Sequence, residues 1–136
     1  MHEEYMKAAL GEAELALQEG EFPVGCVIVE GKDILARGRR VNSSANNELD
    51  HAEMVALRSL HTEFPGAAHK NLTVYATMEP CLMCFSALLL NDVKKIVYGY
   101  EDVMGGGTTL PLKLLKPLYC NMNVEITAGI LREESL

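Results

Sequence analysis

Long apolar runs are missing from this chain of 136 residues. No stretch reaches the roughly 18–20 apolar residues that a membrane-spanning helix needs, so the sequence predicts no membrane segment. The N-terminus, MHEEYMKAAL, carries two glutamates and lacks the basic region and apolar stretch of a secretory signal. Repeats, linkers and low-complexity tracts are also absent. We therefore expect a cytoplasmic protein whose residues 1–136 form a single domain able to bury its own core.

Positive charge is scarce as well. Lysine and arginine together number 12 against 19 aspartates and glutamates, which gives a formal net charge of -7. An acidic chain has no general attraction for the phosphate backbone of a nucleic acid, although a local basic patch can still form. The charge therefore disfavours an RNA substrate without excluding it.

The apolar pattern predicts alternating helices and strands. Residues 3–19 follow a helical period, and short apolar runs predict strands at 24–30, 34–39, 72–77, 93–100 and 124–127. A second helix is expected after Asp50, a good N-cap, and a third with Pro80 in its first turn; residues 111–118 predict a short helix or turn. This order predicts an α/β fold, a three-layer α/β/α sandwich with a five-stranded mixed sheet.

Two short motifs carry the candidate chemistry. Glu53 follows His51 by two residues, and Cys81 and Cys84 follow Pro80, each motif at the start of a predicted helix. Two cysteines three positions apart lie on one helix face, and the positive end of the helix favours their thiolates. One imidazole and two thiolates suit zinc with one coordination position left free. The motifs predict one zinc ion per chain, bound by His51, Cys81 and Cys84.

The predicted zinc site implies hydrolytic chemistry. Zinc with three protein ligands can lower the pKa of a water at its free position toward about 7. Glu53 can accept the proton of that water and pass it to a ring nitrogen and then to a leaving amine. The implied reaction replaces an amino group on an aromatic ring carbon by a carbonyl group and releases ammonia.

Each motif alone has another interpretation. Asp50 and Glu53 could form a capping box, the two cysteines could be a redox pair, and a histidine at a helix start is more often structural. The combination favours the metal site. A non-catalytic zinc module is disfavoured because a structural site needs no proton carrier and usually has four protein ligands.

These motifs resemble the cytidine deaminase superfamily, and within it the branch of tRNA-specific adenosine, guanine and cytosine deaminases. The resemblance extends over nearly the whole chain. It implies His51, Cys81 and Cys84 as zinc ligands, Glu53 as the catalytic proton carrier, and a homodimer with its site near the subunit interface. The pocket residues that it implies are Phe22, Pro23, Val24, Gly25, Ala52 and Pro80.

Two departures from the family pattern concern the substrate. Members usually carry a substrate-binding asparagine at the position of Arg40, which stands eleven residues before His51. Either Asn42 takes that role, or Arg40 binds another acceptor such as a carbonyl, carboxylate or phosphate group. The chain also ends at Leu136 without the basic C-terminal helix usual in the tRNA enzymes.

The sequence therefore favours a zinc-dependent deaminase of a nucleobase, nucleoside or similar small amino-heterocycle. The alternative is a tRNA wobble adenosine-to-inosine deaminase. A basic patch for that alternative could come from Lys70, Lys94, Lys95, Lys113 and Lys116.

Overall fold

A five-stranded mixed sheet forms the centre of the fold. The computed structural model describes residues 1–41, 46–66, 69 and 71–136. The sheet has the order β2-β1-β3-β4-β5; β1 is antiparallel to β2 and β3, whereas β3, β4 and β5 run parallel. The five strands are β1 Gly25–Glu30, β2 Asp33–Arg39, β3 Leu72–Met78, β4 Val93–Tyr100 and β5 Glu125–Thr127.

Helices cover both faces of this sheet. They are α1 His2–Gln18, α2 Ala52–Glu63, α3 Leu82–Leu90, α4 Pro117–Cys120 and α5 Arg132–Ser135, with a 3-10 turn at Leu112–Leu114. Helices α2 and α3 contact one face, and α1 and α5 contact the strands from the other. The predicted three-layer α/β/α sandwich is thereby confirmed. In the part of the chain that the structure describes, every helix is too short or too polar to cross a lipid bilayer.

The strands supply side chains to both cores because successive residues of a strand point to opposite faces. In β1, Ile28 is fully buried with Phe85 and Leu88 of α3 on one face. Its neighbour Val27 is fully buried with Met6 of α1 on the other. The β-branched runs that predicted the strands therefore form the inner layer of the sandwich.

Close packing of α1 on the sheet depends on Gly25, the first residue of β1. A Cβ atom at this position would overlap the carbonyl oxygen of Ala9 in α1. A glycine allows the helix and strand backbones to approach this closely. The backbone N–H of Gly25 also donates a hydrogen bond of 3.1 Å to Oγ1 of Thr77 in β3.

Two helices begin later than the sequence predicts. Helix α2 has His51 as its N-cap, because the Asp50 carboxylate instead accepts hydrogen bonds from the side chains of Asn47 and Arg58, each at 2.8 Å. Helix α3 has Cys81 as its N-cap, so Pro80 precedes the helix and does not occupy its first turn. Both shifts place a candidate metal ligand at a helix N-terminus.

Candidate metal centre and active-site cleft

Three candidate metal ligands meet where α2 and α3 begin. His51 and Cys81 are the N-caps of these helices, and Cys84 lies in the first turn of α3. Nδ1 of His51 is 3.5 Å from Sγ of Cys81 and 3.6 Å from Sγ of Cys84. The ligand atoms of all three residues lie within 4.8 Å of one another. The fold thus brings together the two motifs that the sequence placed on separate helices.

These separations fit a tetrahedral zinc ion. With Zn–S bonds of about 2.3 Å and a Zn–N bond of about 2.0–2.1 Å, a tetrahedral angle places nitrogen and sulfur about 3.5 Å apart. The observed distances from His51 to the two sulfurs, 3.5 and 3.6 Å, agree with this value. One imidazole and two thiols are also ligands that zinc prefers, so the residues present suit this metal.

The two cysteines differ in their affinity for a proton. A hydrogen bond from the Cys84 thiol lowers the pKa of Cys81 to about 5, and the nearby His51 contributes in the same direction. The same hydrogen bond, together with burial and the nearby Glu53 carboxylate, raises the pKa of Cys84 far above its ordinary value. At neutral pH the pair therefore shares one proton. Metal binding by both sulfurs must release that proton, which makes metal affinity pH-dependent.

Glu53 lies buried beside these ligands, in the first turn of α2. Burial raises the pKa of its carboxyl group to about 7, and the negative charge of Cys81 adds to the increase. A group with this pKa can both accept and release a proton at neutral pH. His51 is the N-cap of α2, and the Asp50 carboxylate bonds with Asn47 and Arg58, so Asp50 does not occupy the position that a capping box with Glu53 requires.

A cleft with an enclosed volume of about 80 Å³ opens next to this cluster. Among the residues that the sequence analysis assigned to a substrate pocket, Val24, Arg40 and Ala52 line the cleft. Among the residues that the structure describes, the lining consists of Val24, Arg40, His51, Ala52, Glu53, Met78, Glu79 and Cys81. Metal ligands, a buried carboxylate and an arginine therefore face one space.

The other described residues that were expected in the pocket do not line this cleft. Phe22 is 51% exposed, and its ring centroid lies 5.6 Å from Cζ of Arg40. Pro23 lines a separate groove between α1 and α5. Gly25 packs against α1, and Pro80 accepts a hydrogen bond of 2.9 Å from the backbone of Gly107. The alternative residue Asn42 lies outside the described residues.

Glu79 is a part of the site that the sequence analysis did not select. Its carboxylate accepts hydrogen bonds from the backbone N–H groups of Asp102, at 3.1 Å, and Thr108, at 3.2 Å, and from the Thr108 hydroxyl group. A Cβ atom at Gly106 would overlap this carboxylate. Because Gly106 also pairs with Cys81 in a β-bridge, Glu79 holds the 102–108 segment against the metal centre. The three glycines at 105–107 were the available signal for this close approach.

Comparison with known proteins identifies the family. Residues 1–100 match the family described as the cytidine and deoxycytidylate deaminase zinc-binding region. This chain belongs to that family. The resemblance inferred from the two motifs is confirmed, and the chain is a zinc-dependent deaminase, a hydrolase that acts on C–N bonds.

Individual relatives agree with this assignment. The deaminase is 35% identical over 130 residues to the tRNA-specific adenosine deaminase of Bacillus subtilis (strain 168), covering 96% of this chain and 81% of the relative. It superimposes with a TM-score of 0.86 and 27% identity on a structure from studies of A-to-I editing by tRNA:A34 deaminases, covering 97% and 96% of the two chains. The guanine deaminase of Nitrosomonas europaea shares the fold, with a TM-score of 0.79, 18% identity and coverage of 98% and 79%.

Proposed function

We propose that this deaminase converts adenosine to inosine at the wobble position of a tRNA. The observation that carries the proposal is the identity of 35% to a tRNA-specific adenosine deaminase over 96% of the chain. The net charge of -7, by contrast, favours a small substrate. Similarity of this extent gives more weight to the RNA substrate than net charge does, because net charge leaves local patches undetermined.

In the proposed mechanism, His51, Cys81 and Cys84 hold zinc, which when bound activates water for nucleophilic attack. Glu53 takes one proton of the attacking water and delivers it to a ring nitrogen of adenine. It then moves the second proton, from the newly added hydroxyl group, to the departing amine as the C–N bond breaks and the carbonyl forms. Its burial keeps its pKa near 7, so one carboxylate can perform both transfers. The products are inosine and ammonia.

The size of the cleft supports a single unstacked nucleoside as its occupant. Its enclosed volume of about 80 Å³ is well below that of a usual ligand pocket, so the cleft admits one base at most and no base pair. An enzyme of this kind must therefore take its target base from a single-stranded loop or extrude it from the stack. The apolar side chains of Val24 and Met78 line the cleft and are available to contact the faces of the base.

We also propose that the deaminase is a homodimer with the interface near the cleft. Val103 and Met104 are 87% and 93% exposed and belong to the segment that Glu79 holds beside Cys81. Leu82 and Leu114 add further exposed apolar surface, at 55% and 82%. Apolar side chains exposed in number often mark an interaction site. Light scattering after size exclusion should give the mass of a dimer, and Met104→Asp should give a monomer.

A small amino-heterocycle remains the second candidate substrate. The net charge of -7 favours it, and so does the position of Lys94 and Lys95. These lysines lie at the start of β4, whereas Met78, which lines the cleft, pairs with Tyr100 at the other end of that strand. They are therefore remote from the cleft. Lys70 lies outside the described residues.

Sequencing of a tRNA incubated with the zinc-loaded deaminase tests the proposal. Inosine should appear at the wobble position with the wild type and not with Glu53→Gln. In parallel, ammonia release is measured with guanine, adenine, cytosine, cytidine and aminopyrimidines. An unchanged wobble adenosine together with turnover of one of these small molecules would reject the tRNA substrate in favour of the second candidate.

A further inference from the structure

Arg40 differs from the other arginines of this chain. Arg37, Arg39, Arg58 and Arg132 each have a carboxylate oxygen within 4.0 Å. Among the described residues, no carboxylate lies that close to Arg40, and its buried Nε has no hydrogen-bond acceptor. Buried N–H groups of folded proteins normally have an acceptor, and leaving one without a partner is unfavourable. This geometry points to an acceptor that a ligand supplies.

The position of Arg40 indicates which part of a ligand it meets. Its side chain lines the cleft that also contains His51 and Glu53. Its guanidinium carbon lies 5.6 Å from the ring centroid of Phe22, which is 51% exposed. The guanidinium group is therefore between the cleft and a solvent-exposed ring, at the mouth of the cleft. A base whose reacting carbon faces the metal ligands would present its attached sugar and phosphate to this mouth.

We propose that Arg40 binds a phosphate oxygen of a nucleotide substrate at the mouth of the cleft. The proposal rests on the proposed function in so far as the substrate is a nucleotide. A guanidinium group offers two parallel N–H donors that match two phosphate oxygens, and this charge-assisted pairing is stronger than a neutral hydrogen bond. The phosphate is either an internucleotide phosphate of RNA or the 5′-phosphate of a mononucleotide.

Two contacts prepare Arg40 for this role. The Phe22 ring supports the guanidinium group through a cation–π contact, which limits the orientations of the side chain. The backbone N–H of Arg40 donates a hydrogen bond of 3.1 Å to the carbonyl oxygen of Val24, which fixes the backbone where β2 ends. This backbone bond does not involve the side chain, so substitution of Arg40 leaves it available.

Steady-state kinetics of the zinc-loaded enzyme tests this inference with three substrates: adenosine, adenosine 5′-monophosphate and an anticodon stem-loop RNA. Arg40→Ala should raise KM for phosphate-bearing substrates by about 10- to 100-fold, the effect of losing a hydrogen bond to a charged group. With adenosine, which carries no phosphate, KM should rise much less. Arg40→Lys, which keeps the charge but loses the paired donors, should give a KM for the phosphate-bearing substrates between those of the wild type and Arg40→Ala. An effect on the RNA alone assigns an internucleotide phosphate, and an effect on both phosphate-bearing substrates assigns the 5′-phosphate.

Arg37→Ala is the matched control, because Arg37 lies on β2, the strand that ends one residue before Arg40, is exposed and does not line the cleft. Equal losses with adenosine and with the phosphate-bearing substrates would overturn the proposal, since Arg40 would then act on the base or on the shape of the cleft. Unchanged kinetics of Arg40→Ala with all three substrates would overturn it as well.

Binding of reaction products separates this inference from the proposed function. Affinities of the zinc-loaded wild type and Arg40→Ala are measured for inosine, inosine 5′-monophosphate and an inosine-containing stem-loop at several salt concentrations. The variant should lose the preference for phosphate-bearing ligands, and its salt dependence should fall by about one unit of slope. If adenosine substrates are not deaminated but this loss occurs, the proposed function fails and the role of Arg40 stands. If tRNA is edited but Arg40→Ala keeps the preference for phosphate-bearing ligands and the same salt dependence, the proposed function stands and the role of Arg40 fails.

Discussion

Substitution of Glu53 by glutamine would separate the energetic cost of burying a carboxylate from its role in proton transfer. The residue is 4% exposed, and burial raises the pKa of its carboxyl group from 4.5 to about 7. The folded state therefore binds this proton more tightly than the unfolded state does. The stability that proton binding by Glu53 contributes is complete below pH 4.5 and is lost as the pH rises through 7. The difference in pKa corresponds to about 3 kcal/mol.

Glutamine carries no charge, so the variant should escape this loss. We compare the free energy of unfolding of metal-free Glu53→Gln with that of the metal-free wild type at each pH. Between about pH 4.5 and a pH above 7, this difference should change by about 3 kcal/mol in favour of the variant. Urea denaturation followed by circular dichroism at a series of pH values measures this difference. The exposed Glu14 in α1 provides the control substitution, Glu14→Gln, which should show no such trend. Zinc should reduce the difference, because a nearby cation favours the ionised carboxylate.

Two results would refute this reasoning. A difference between Glu53→Gln and the wild type that does not vary with pH would show that the carboxylate is not buried at this cost. Turnover by the zinc-loaded variant at the wild-type rate would exclude Glu53 as the proton carrier, since loss of a general acid–base group is expected to lower the rate by about 10²- to 10⁴-fold. The zinc content, expected to remain one ion per chain, shows that the metal site is intact.

Three further substitutions test the metal centre, its support and the core. Cys84→Ser should lower zinc affinity by more than about tenfold in competition with a chromogenic chelator, and unchanged affinity would remove Cys84 from the ligand set. Glu79→Gln turns an amide NH₂ group toward backbone donors and should lower the free energy of unfolding by about 1–3 kcal/mol. An effect no larger than that of Glu14→Gln would contradict the role given to Glu79. Phe85→Ala empties a position that is 1% exposed and should cost about 3–5 kcal/mol in urea denaturation, well above Leu90→Ala at a position 50% exposed.

Much of the fold was predictable because its signals are local. Each strand is a short apolar run, and the alternation of Val27 and Ile28 between two cores follows directly from strand geometry. The starts of α2 and α3 were less predictable. Asp50 has the intrinsic preference of an N-cap, but its carboxylate is drawn into hydrogen bonds with Asn47 and Arg58 instead. Side-chain contacts with residues three and eight positions away thus accompany a helix start one residue later than intrinsic preference predicts.

The residues of the candidate site also differ in how far the sequence predicted them. His51, Glu53, Cys81 and Cys84 were found because two short motifs contain them all. Glu79 was not selected, because its partners Asp102 and Thr108 are 23 and 29 residues away, and no sequence spacing reveals that contact. Likewise the sequence marked Arg40 as unusual, but its buried Nε and its contact with Phe22 became visible only in three dimensions.

The separation of the candidate ligands along the chain affects local unfolding at the starts of α2 and α3. His51 is 30 residues from Cys81 and 33 from Cys84, so a metal held by all three joins the first turns of α2 and α3. Neither helix end can then fray without breaking a bond to the metal. Amide hydrogen exchange in these two turns should slow together when zinc is added. Chelation should return them to independent opening, while α1, on the opposite face of the sheet, keeps its exchange rates.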